Sequence, residues 1–68
     1  MTKEQIKQID DFVSYLQEYD YELFSRVLKY SNLRRHISIY EYINSIFVMS
    51  EYLYKEPLVI IRELFPDD

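Results

Sequence analysis

His36 is the one imidazole in this 68-residue chain, with Arg35 before it and Ser38 two residues after. A ring beside a hydroxyl is the minimum for base-assisted nucleophilic chemistry, and a neighbouring guanidinium disfavours the charged ring, which suits a neutral base. The set stops there. Cysteine is absent, so no thiolate or disulfide can form, and glycine is absent, so no phosphate-cradling loop can be built. One histidine cannot make a polyhistidine metal site. Asp10 and Asp11 are adjacent carboxylates, but neighbours on a helix diverge by about 100° and do not converge on one substrate atom. A chain this short also has little room for a ligand-burying pocket of roughly 300 Å³ or more. These residues predict a protein that is not an enzyme and takes no cofactor, metal or small-molecule substrate.

Two charged groups suggest macromolecular partners. Arg26, Lys29, Arg34, Arg35 and His36 fall within eleven positions of an otherwise acidic chain, with Tyr30 among them. In a helix-turn-helix reading, Arg34, Arg35 and His36 would meet phosphates while Tyr40, Glu41 or Asn44 faced base edges. The turn has no small residue, the would-be recognition helix is mostly apolar, and the net charge is −4, opposite to that of a general nucleic-acid binder. A DNA-associated regulator is therefore the alternative rather than the leading expectation. Asp10, Asp11, Glu18, Asp20 and Glu22 form a negative zone that could mimic phosphates, although duplex DNA carries a denser one charge per roughly 1.7 Å.

The eight tyrosines are more informative. Six of them come in pairs two residues apart, at Tyr19/Tyr21, Tyr40/Tyr42 and Tyr52/Tyr54. Residues two apart on a helix point about 200° apart, so one ring of a pair can pack inward while the other faces out. Tyr40, Phe47 and Tyr54 recur at intervals of seven and form a stripe. Tyrosine combines contact area with a polar tip, which suits interfaces. This stripe, with Val59, Ile60 and Arg62, is the predicted protein-binding face.

The elements that must position these residues are legible from caps and periodicity. Thr2 followed by Gln5 is a capping box, and Ile6, Ile9, Val13 and Leu16 form a seam widened by Phe12 and Tyr19, giving a helix over 3–19. Asp20 caps a second helix over 21–30, with Leu23, Phe24, Val27 and Leu28 facing inward and Ser31-Asn32 as its stop. Residues 33–37 read as a turn or a single helical turn. Ser38 with Glu41 is a second capping box and opens a helix over 39–54. There Ile39, Ile43, Ile46 and Leu53 make the inner seam, with Ser50 in the remaining slot, and Glu41, Asn44, Val48, Glu51 and Lys55 face water. Pro57 at a first helical position starts a helix over 57–65, closed by Pro66. Short strands at 58–61 or 37–39 are the competing assignment.

The fold expected is one all-α, four-helix domain with roughly antiparallel neighbours. Hydrophobic residues are 49% of the chain and 18% are aromatic, more apolar mass than so small a domain can enclose. That surplus predicts a homodimer or a partner-binding protein, acting as a small regulator or inhibitor. No stretch of 18 apolar residues is present and the N-terminus lacks a signal-peptide core, so a cytoplasmic protein is expected. The Ile/Tyr/Glu-rich vocabulary is that of an AT-rich genome, as in a phage or mobile element.

Overall fold

The computed structural model describes residues 2–66. Among them the chain is all-α, with no strand: α1 (Lys3–Tyr19), α2 (Tyr21–Tyr30), α3 (Ile39–Leu53) and α4 (Pro57–Leu64), plus a π-helical turn over Ser31–Arg35. Local chemistry sets three of the four starts. Thr2 accepts from the Gln5 amide while the Gln5 side chain accepts from the Thr2 amide, completing the box. The Asp20 carboxylate accepts from the Leu23 amide, and the Ser38 hydroxyl from the Glu41 amide. Pro57 opens α4 without a side-chain cap.

Each helix contributes to one core. Ile9, Val13 and Leu16 face inward from α1, Leu23, Phe24 and Val27 from α2, Ile39, Tyr42, Ile43 and Ile46 from α3, and Ile60 and Ile61 from α4. Helix α1 packs on α2 and α3, and α3 also packs on α4. No helix among the described residues is long and apolar enough to cross a membrane.

The structure departs from the sequence expectations at the joints. Helix α2 ends at Tyr30 with Ser31 as its cap, as the sequence predicts. The Ser31 hydroxyl, in a wholly buried residue, donates to the Leu28 carbonyl at 3.0 Å, the local side-chain bond that favours a stop. Beyond it the chain widens into the π turn rather than leaving the helical path at once. His36 then takes φ 56°, ψ 34°, and the His36 and Ile37 amides both return to the Ser31 carbonyl. Helix α3 ends one residue early, because Tyr54 adopts φ 54°, ψ 39° as its cap, and α4 ends at Leu64 with Phe65 as its cap. A glycine-free chain must assign the left-handed positions that close helices to side-chain-bearing residues, here His36 and Tyr54. Ile6 and Leu53, expected in the inner seams, are about half exposed at 49% and 51%.

Candidate binding surfaces

The predicted stripe does not face outward along its length. Phe47 is partly buried against the core, its ring meeting Phe12 of α1 edge-on at 5.5 Å and 86°. Tyr40, on the same line, donates its hydroxyl to the Asp10 carboxylate of α1 at 3.2 Å. That bond, and then the charge behind it, holds the Tyr40 hydroxyl above its ordinary pKa. Both residues thus look toward α1, and Phe47 serves the packing of two helices. Ile60 is core, 3% exposed; it cannot share a face with Val59, its neighbour about 100° round the helix, and Val59 is exposed. Arg62 reaches the Asp20 carboxylate at 3.7 Å, tying α4 to the α1–α2 joint. A small hollow of about 240 Å³ lies there, between Asp20, Leu23, Arg62 and Phe65. Tyr54, fully solvated, lies past the last turn of α3.

The outward apolar face lies elsewhere on α3. Val48, Met49, Tyr52 and Leu53 are all exposed and follow one another at helical spacing, with partly buried Ser45 one turn earlier. From Ser45 to Leu53 this face carries no charged residue. Tyr42 lies on the same side of the helix two turns before Met49, but there it is covered. Tyr30 sits 5.5 Å and Phe65 6.2 Å from its ring, and the Arg35 guanidinium lies over it at 5.5 Å. The face is therefore clothed at its N-terminal end and bare at its C-terminal end. Tyr54 and Val59 are exposed as well, and Lys55, just past α3, bridges to Glu63 of α4 at 3.2 Å. Val48 faces water as expected, but as part of an apolar patch. Of the tyrosine pairs, only Tyr40/Tyr42 divides into an outer and an inner ring; Tyr19, Tyr21, Tyr52 and Tyr54 are all exposed.

The basic cluster is split in the structure. Arg26, Lys29 and Arg34 surround an open hollow of about 320 Å³ whose apolar walls are Tyr30, Leu33 and Phe65. Arg35 is turned away over Tyr42, and His36 stands exposed in the helix-closing position. On the base-edge side of the DNA reading, Glu41 is exposed and Tyr40 is bonded to the Asp10 carboxylate. Positions 26, 29, 30, 33 and 34 carry a helical repeat that runs past the end of α2 at Tyr30, because the π turn continues the helical path.

Among the described residues no cluster of three or more His, Cys, Asp or Glu is placed to hold a metal ion. No family model, curated protein or solved structure matches the chain.

Proposed function

We propose that this chain is a small non-enzymatic protein, regulatory or inhibitory in role, that works by protein–protein association through the outer face of α3. The supporting observation is the uninterrupted exposed run Val48, Met49, Tyr52 and Leu53, the last two continued by Tyr54. Its first occupant is a second copy. Without charges on this face, two copies can meet across a two-fold axis with no like charges opposed. A stable interface of standard size takes about 800 Å² per partner, near one-sixth of the 5184 Å² this chain exposes.

Tyr54 supports the same reading. Its backbone closes α3, but the bulky side chain, held at a left-handed position and 96% exposed, adds no packing to the fold. Backbone strain that packing does not explain is concentrated at functional positions. Analytical ultracentrifugation across about a hundredfold range of concentration tests the proposal. Reversible dimerisation is expected, lost in Met49→Glu and Tyr52→Glu with helicity retained. A species that stays monomeric throughout, or a dimer indifferent to both substitutions, refutes it.

A further inference from the structure

The basic-rimmed hollow shares no residue with the α3 face, and either reading can fail alone. Its floor is aromatic and aliphatic. The rings of Tyr30 and Phe65 meet edge-on at 5.5 Å, and Leu33 hangs from the π turn with 73% of its surface exposed. An engineered cavity of about 150 Å³ holds one benzene ring. At about 320 Å³ this open hollow admits one large side chain with part of its backbone.

Three cationic residues, Arg26, Lys29 and Arg34, line the hollow. Lys29 and Arg34 have no acidic partner among the described residues, and Arg26 pairs with Glu22 at 2.8 Å and donates to the Pro66 carbonyl at 3.0 Å. The π turn contributes two of the six residues, and such turns are frequent at functional sites. An apolar floor inside a basic rim fits a ligand that is greasy at its centre and anionic around it.

From this geometry we infer a docking site for a short acidic segment of another protein, with one aromatic or large aliphatic side chain flanked by carboxylates. The apolar side chain covers Leu33, Tyr30 and Phe65, and the carboxylates meet Lys29 and Arg34. Charge range separates this occupant from duplex DNA. At physiological salt, fields decay over about 8 Å, so a short peptide senses the local rim and not the acidic α1. A long polyanion runs across the remainder of a chain of net charge −4, and the apolar floor offers phosphates nothing.

The test is a ¹⁵N-amide titration of the full chain with the capped peptide Glu-Asp-Phe-Asp-Glu. Three competitors accompany it: Gln-Asn-Phe-Asn-Gln, Glu-Asp-Ala-Asp-Glu and a short DNA duplex. Shifts centred on Tyr30, Leu33 and Arg34 are expected. Affinity should fall about tenfold for either altered peptide, for the double variant Lys29→Ala/Arg34→Ala, and for Leu33→Ser. All three substituted residues are exposed, so circular dichroism should be unchanged, and Met49→Glu should bind the peptide normally. Equal binding of the neutral or the alanine peptide overturns the inference. So does tighter binding of the duplex at the same amides, or the absence of any shift at millimolar peptide.

Discussion

Replacing Tyr54 by glycine should make this protein more stable. At φ 54°, ψ 39° the Tyr54 Cβ crowds the backbone carbonyl, a cost of about 1–2 kcal/mol for an L-residue. The ring is 96% exposed, so its removal forfeits no packing within the chain, and dilution to the monomer isolates that effect. Against the relief stands the greater freedom of glycine in the unfolded chain, about 0.4–1 kcal/mol. The net gain is about 0.5–1 kcal/mol, which in a domain of this size raises Tm by roughly 2–8 °C. Tyr52→Gly is the matched control. It removes a similarly exposed ring two residues earlier, but from a right-handed helical position, and should cost about 0.5 kcal/mol. Urea and thermal unfolding followed by far-UV circular dichroism give both values. Opposite signs at the two positions are expected. If both substitutions destabilise, the backbone at Tyr54 is not under strain and Tyr54 gives no support to a functional face. If Tyr54→Gly stabilises the fold and weakens self-association together, the tyrosine is kept there for contact and not for stability.

Other perturbations probe the packing directly. Leu16→Ala, at a site with no exposure, should cost about 2–5 kcal/mol in urea unfolding, enough to unfold much of a domain this small. Phe47→Ala should cost about 2 kcal/mol, a part-buried share of the usual aromatic penalty, and leave the sedimentation behaviour of the folded fraction unchanged. Asp20→Ala removes the α2 cap and the Arg62 partner together and should lower stability by about 1 kcal/mol, whereas Asp20→Asn, which still caps, should recover most of it. The Tyr42 hydroxyl is pushed above its ordinary pKa by burial first and by Tyr30 next, with Arg35 opposing. The unfolded chain therefore releases that proton at a lower pH than the folded one. The stabilisation linked to the neutral hydroxyl is complete below about pH 10 and declines as pH rises beyond it. Tyr42→Phe should flatten that alkaline decline in unfolding experiments at stepped pH.

The caps show why the helices were legible. Thr2, Gln5, Asp20, Ser38 and Pro57 act within three or four residues of themselves, so their effect needs no knowledge of the rest of the chain. The same holds for the seam Ile9, Val13 and Leu16, which has one apolar side and can turn only one way. Helix α3 is different. It is apolar around most of its girth, so periodicity does not reveal which side is covered. Phe12 and Asp10 of α1 decide that Phe47 and Tyr40 turn toward α1, and Tyr30 and Phe65 decide that Tyr42 is the buried ring.

By itself, the sequence determined an all-α chain and its four helix starts. Tertiary structure alone decided which apolar residues stay bare. Burial is a contest among several helices for the same faces, and Phe65 reaches Tyr30 across 35 positions of chain. It also decided that three of the five clustered basic residues ring one hollow, because the π turn that follows α2 sets Leu33 and Arg34 beside Tyr30 and Phe65.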